Sequence, residues 1–356
     1  MINWGRGPGA CRDRRDRGQG TLEYIGTLAL VALLIIAVVA AALHFQAGPF
    51  VARAICAIAQ QPTCQVGTGE TPYERARSGR YLAMGDSFAS GEGAWDYDEG
   101  TDFDDRDDPW PFNNGEEDHN RCRRSKHAYA RLLADGNDFA GGSRFVACSG
   151  ALIDDFYQPN HKETDEDPQL EALGEDVSLI TLSVGGNNLG FAGVLIDCVT
   201  SNLKAGLTGR CQEHQDAAIK ERMPQVRADL VQLYRRLRQE APNARIIVVG
   251  YPALFEEKPD PSLRNVLSAP DQRWMNEVAA TFNGTVASAA WEAGVEYVDP
   301  SAAFRGHGLG SDDPWFNDLI PKGPGAMVAD PSSFHPSADG HAAFARLVQQ
   351  QLENPQ

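Results

Sequence analysis

Five short apolar runs constrain this chain most: YLAMG (81–85), RFVAC (144–148), SLITLSV (178–184), RIIVVG (245–250) and VEYVD (295–299). Each is bounded by Gly, Asn, Pro or Asp and has the length of a buried strand. Helical patterns separate them. Ile219, Met223, Val226, Leu230, Leu233 and Leu237 recur at spacings of three and four and place one apolar stripe on a helix. Val278, Phe282 and Val286 mark a second helix, and Phe344, Leu347, Val348 and Leu352 a third. Strands alternating with helices predict a parallel sheet covered on both faces. The expected fold is α/β, three-layered and flavodoxin-like, with a five-stranded parallel sheet in one domain over 80–352.

Ahead of that domain, Tyr24 to Leu43 form a run of 20 residues without a charge. That length crosses the hydrocarbon core of a bilayer as a helix. Five arginines precede it, which predicts a basic cytoplasmic leader over 1–23, one transmembrane helix over 24–43, a stalk over 44–79 and an extracytoplasmic domain. Gly18 followed by Glu23 at the edge of this run resembles the class III leaders of Flp-type pilins and pseudopilins, in which a peptidase cuts after the Gly. That resemblance implies processing that leaves the anchor attached.

The net charge is −17, and beyond residue 50 the chain holds 27 basic against 46 acidic residues. With no basic cluster there, a nucleic-acid partner is not expected. Of seven cysteines, Cys11 falls on the expected cytoplasmic side, and the other six suit an oxidising compartment. Several pairings are open; nearest-neighbour pairing is adopted, Cys56 with Cys64, Cys122 with Cys148 and Cys198 with Cys211. Alternating acids from Asp96 to Asp104 look like a calcium loop but lack its twelfth-position Glu, so a solvated acidic insertion is the preferred reading. No metal or cofactor is otherwise expected, and the chain is expected to be monomeric.

Ligands of such sheets bind at the carboxyl ends of the strands. The polar residues there are Ser87 within GDSFASGEG (85–93), Gly150 in SGA, Asn187 in GGNN (185–188) and, before the last helix, His335 in SFHPSADGH (333–341). A serine hydroxyl attacks only when a base takes its proton, and the oxyanion formed needs fixed N–H donors. Ser, His, Gly and Asn supply both. Asp86 is read as a brace for the serine turn, and His341 as a packed residue of the last helix.

In this order the four segments resemble the SGNH (GDSL) hydrolase superfamily, in particular its actinobacterial secreted lipase and esterase branch, from Tyr81 to Leu352. The resemblance implies Ser87 as nucleophile, His335 as general base, and an oxyanion hole of the Ser87 and Gly150 amides with the Asn187 side chain. Many members carry Asp three residues before the histidine, where this chain has Ser332. The branch implies instead that the Ser332 carbonyl orients the ring; Asp330 is the alternative acid. The expected function is a carboxylic-ester hydrolase, lipase or esterase, acting on acyl lipids. Two alternatives stand beside it: a polysaccharide acetyl-ester deacetylase at the same site, and an inactive envelope- or pilus-associated binding protein.

Overall fold

The structure, a computed structural model, describes residues 70–102, 120–163, 165–205, 211–259, 267–322 and 328–355. The leader, the 24–43 run, most of the stalk and the Cys56–Cys64 pair lie outside these residues. Among the described residues no helix is long and apolar enough to cross a membrane.

Five strands form one sheet: β1 (Arg80–Gly85), β2 (Ser143–Phe145), β3 (Val177–Ser183), β4 (Arg245–Val249) and β5 (Glu296–Val298). Their order is β2-β1-β3-β4-β5, and every pairing is parallel. All seven residues of β3 are buried, as a central strand packed on both faces requires. The strand order reverses between β1 and β3, which opens a crevice at their carboxyl ends. β2 is shorter than its apolar run, yet Val146 and Cys148 still donate to Ala83 and Gly85, so the chain stays beside β1 up to Cys148.

The helical stripes face the core as their spacing predicts. In the helix Cys211–Glu240, Ile219, Val226, Leu230, Leu233 and Leu237 are buried and pack toward the helix Ala269–Ala293, where Val278, Phe282 and Val286 are buried. The last helix, Ala338–Glu353, packs against Tyr129–Asp135.

The stalk boundary needs correction. Pro72–Arg77 is a helix whose Thr71 and Glu74 form a reciprocal capping box, and its Ala76 is buried in the core. The compact unit therefore begins at Thr71 rather than at Arg80. A small antiparallel pair, β6 (Pro321–Lys322) with β7 (Val328–Ala329), precedes the histidine loop and carries no strand pattern in the sequence.

Of the expected disulfides, Cys122 is bonded to Cys148 and Cys198 to Cys211. Asp96, Asp98 and Asp102 of the 96–104 insertion meet side-chain cations. Asp96 accepts from Lys126 at 2.8 Å, Asp98 pairs with Arg131, and Asp102 lies 3.9 Å from Arg123 Nε. These acids are neutralised from within the chain, and no cluster of three metal-ligating side chains occurs among the described residues. Asp104 lies outside them.

Candidate active site

Gly85 ends β1 with φ +124°, and a Cβ there would stand 2.3 Å from the Ser183 carbonyl, so only glycine lets β1 turn this close to β3. Asp86 then caps one helical turn, Ser87–Ser90, by accepting the Phe88 amide at 3.1 Å. Ser87 is the first residue of that turn, where an amide has no helical acceptor. Neither the Ser87 nor the Gly150 amide donates to a protein acceptor among the described residues.

Ser87 Oγ and His335 Nε2 are 2.8 Å apart. The imidazole sits on a loop clamped by Asn317: its amide donates to the His335 carbonyl at 2.9 Å, and its carbonyl accepts from Phe334 at 3.0 Å. Burial pushes the imidazole below its ordinary pKa, against the Glu92 charge and the Ser333 and Pro331 carbonyls, which favour the imidazolium. At neutral pH the ring is therefore neutral and can accept a proton.

The orienting group differs from the expected one. His335 Nδ1 faces the Ser333 carbonyl at 3.3 Å. The Ser332 carbonyl instead closes the turn onto the His335 amide and accepts from Asn317 Nδ2, each at 3.3 Å. Phe334, at φ +62°, turns the backbone between the Ser333 carbonyl and His335. Asp330 Oδ1 accepts the Ser332 amide at 2.9 Å and lies 3.8 Å from Arg123 Nη1, so it serves the turn and the guanidinium.

Asn187 follows β3 and donates from Nδ2 to the Ala151 carbonyl at 3.1 Å. This bond brings the β3 loop to the residue next to Gly150. Asn188 holds the same loop by accepting the Ile153 amide at 3.0 Å. Asp86 is buried and braced by the Tyr251 hydroxyl, which donates at 2.6 Å and itself accepts the Gly186 amide. Burial raises its pKa to about 7. His341 is fully buried in the last helix, where Nδ1 accepts the Tyr129 amide at 3.3 Å.

Ser87, Asn187 and His335 line a cleft with about 800 Å³ of empty space, part of it open to solvent. Its walls are largely apolar: Phe88, Phe191, Leu195, Leu254, Ala279 and Phe282.

One buried group escaped the sequence reading. Glu92, 1% exposed, pairs with Arg123 at 2.6 Å, accepts from the Ser332 hydroxyl at 3.2 Å and accepts from the Ser149 hydroxyl. A carboxylate between two glycines reads as a solvated turn residue; its partners lie 31, 240 and 57 residues away in sequence.

The GDSL-like lipase/acylhydrolase family matches residues 83–343. The chain belongs to this family. It is 28% identical over 270 residues to a lipase of Streptomyces rimosus, covering 75% of this chain and 84% of that one. It is 30% identical to lipase 2 of Streptomyces coelicolor, over 64% of this chain and 71% of the relative. The crystal structure of phospholipase A1 from Streptomyces albidoflavus NA297 superposes with a TM-score of 0.59 at 28% identity, covering 77% of this chain and 99% of that one. The extracellular lipase of Streptomyces rimosus superposes at 0.58 with 26% identity, over 77% and 99% of the two chains. As a member of this lipase and esterase family, the protein is an ester hydrolase.

Proposed function

We propose that Ser87 is the nucleophile and His335 the general base of a carboxylic-ester hydrolase for acyl lipids. The observation that carries this is the 2.8 Å contact of Ser87 Oγ with His335 Nε2 at the wall of an apolar cleft. His335 Nε2 takes the hydroxyl proton as Oγ bonds to the ester carbonyl carbon. The oxyanion is received by the Ser87 and Gly150 amides and by Asn187 Nδ2, whose second hydrogen is left over from its bond to Ala151. Collapse breaks the acyl–oxygen bond, and the imidazolium returns the proton to the departing alcohol. The same ring then takes a proton from water as its oxygen bonds to the acyl carbon; the acyl–Oγ bond breaks, the imidazolium returns the proton to Ser87 Oγ, and the fatty acid leaves. The Ser333 carbonyl accepts from Nδ1 throughout and stabilises the imidazolium.

In this reading the uncharged 24–43 run anchors the enzyme, with the arginines of 1–23 inside and the domain outside the membrane. Its length and charge asymmetry support this, and the pilin-like spacing of Gly18 and Glu23 supports a processed leader. Protease accessibility of the domain in intact cells tests the orientation.

The test of the chemistry is hydrolysis of p-nitrophenyl acetate, butyrate and palmitate by the full-length chain and by Ser87→Ala. Turnover that depends on Ser87 and extends to palmitate is expected. Turnover confined to acetate would favour the deacetylase, and turnover unchanged in Ser87→Ala would overturn the assignment.

A further inference from the structure

Three loops must keep register for the proposed chemistry: the serine turn, the loop of Gly150 and the loop of His335. They leave different strands, and one carboxylate touches all three. Glu92 belongs to the serine turn. Its Oε1 accepts from Ser332 of the histidine loop at 3.2 Å, and its Oε2 accepts from Ser149, the residue before Gly150. Arg123 Nη1 donates to the same Oε1 at 2.6 Å and to Ser332 Oγ at 3.2 Å, closing a triangle. Tyr97 adds a hydroxyl 3.5 Å from Ser332 Oγ and accepts the Gly93 amide at 3.1 Å. Glu92, Ser332 and Arg123 are all nearly sealed from solvent. Such a network has few alternative arrangements, because every partner lost leaves a buried polar group unpaired.

The anchorage of Glu92 is itself covalently tied. Arg123 follows Cys122, Ser149 follows Cys148, and these cysteines form a disulfide. The Ser149 amide also donates to the Cys122 carbonyl at 3.0 Å. That link holds together the backbones that carry the two groups gripping Glu92.

We infer that Glu92 is a positioning residue of this esterase, holding the histidine loop through Ser332 and the Gly150 loop through Ser149 in register with the serine turn. The inference rests on Ser87 and His335 being the reacting pair. Glu92 also stands among the charges that face His335. Its own charge favours the imidazolium, and Arg123 opposes it. Asp86 and Asp330 line the same cleft, Tyr97 abuts Ser332, and His341 approaches from the last helix. Glu92 thereby steadies the positive charge that His335 acquires during the reaction.

The test is the pH profile of butyrate-ester hydrolysis by the full-length wild type, Glu92→Gln and Ser87→Ala. Glu92→Gln keeps the shape of the side chain and removes the charge. A fall in kcat of about tenfold to a hundredfold is expected with KM little changed. The acid limb of kcat/KM should move down by roughly one pH unit, since a lost neighbouring negative charge disfavours the imidazolium. An acid limb left in place, with or without a fall in kcat, would overturn the inference. If Glu92→Gln does not fold, Ser149→Ala and Ser332→Ala each remove one hydroxyl arm; both should lower kcat at constant KM, and unchanged kcat in both would overturn it. Turnover independent of Ser87 would instead overturn the underlying assignment, which separates the two failures.

Discussion

Gly93 backs directly onto His335: a Cβ at Gly93 would stand 2.8 Å from the His335 Cβ and 2.6 Å from Asn317 Nδ2. Gly93 also has φ +88°, a conformation that L residues adopt only at a cost. Gly93→Ala should therefore displace the imidazole from Ser87 and lower kcat by about a hundredfold. Strain should lower stability by about 1–3 kcal/mol. Ester hydrolysis and urea denaturation of the variant check both.

Arg123 and Glu92 form a buried ion pair, with side chains 7% and 1% exposed. Removing one partner leaves the other charge buried alone. Arg123→Met should lower the unfolding free energy by about 3–5 kcal/mol, measured in denaturant. A loss below about 1 kcal/mol would show that water reaches Glu92.

His341 lends the fold a dependence on pH. Burial lowers its pKa from an ordinary 6.5 to about 3, with small contributions from His335 and His127. The unfolded chain then binds a proton below about 6.5 that the folded chain refuses, so this contribution is present above 6.5 and is lost as pH falls toward about 3. Its size is about 4–5 kcal/mol. Asp86 has the opposite sign: its pKa, raised to about 7, gives stability in acid that is lost as pH rises through about 7. His341→Asn keeps an acceptor for the Tyr129 amide but does not titrate. Its denaturation free energy, followed from pH 8 to pH 4, should fall less steeply than that of the wild type.

Ala279, buried in the long helix after β4, forms part of the cleft wall with Phe282 and Leu254. Ala279→Phe should fill space an acyl chain would occupy. Palmitate hydrolysis should drop at least about tenfold relative to acetate in kcat/KM. An unchanged ratio would place the acyl chain elsewhere.

The framework of the fold was legible because its signals are local. Leu230, Leu233 and Leu237 declare one helix face by spacing alone, and buried strand runs need both sides covered. Ser87 and Asn187 were legible at predicted strand ends and His335 in the loop before the last helix, each by its residue chemistry. What escaped depends on single dihedrals or distant partners. Ser333 rather than Ser332 faces the ring because Phe334 takes φ +62°, which no pattern in SSFHP announces. Glu92 carried no signal of its own because Ser332, one of its partners, lies 240 residues away. The helix at Pro72–Arg77 has a legible cap in Thr71 and Glu74 but is too short to show periodicity.

The contact between Ser87 and His335 spans 248 residues of chain, and β1 itself lies between strands that follow it in sequence. A contact of that span carries a large loop-closure cost, which the rest of the sheet must offset. A half-folded molecule therefore carries its serine as an ordinary alcohol, unable to take an acyl group from an ester. Reactivity therefore requires the assembled sheet, and a copy that lacks it is inert.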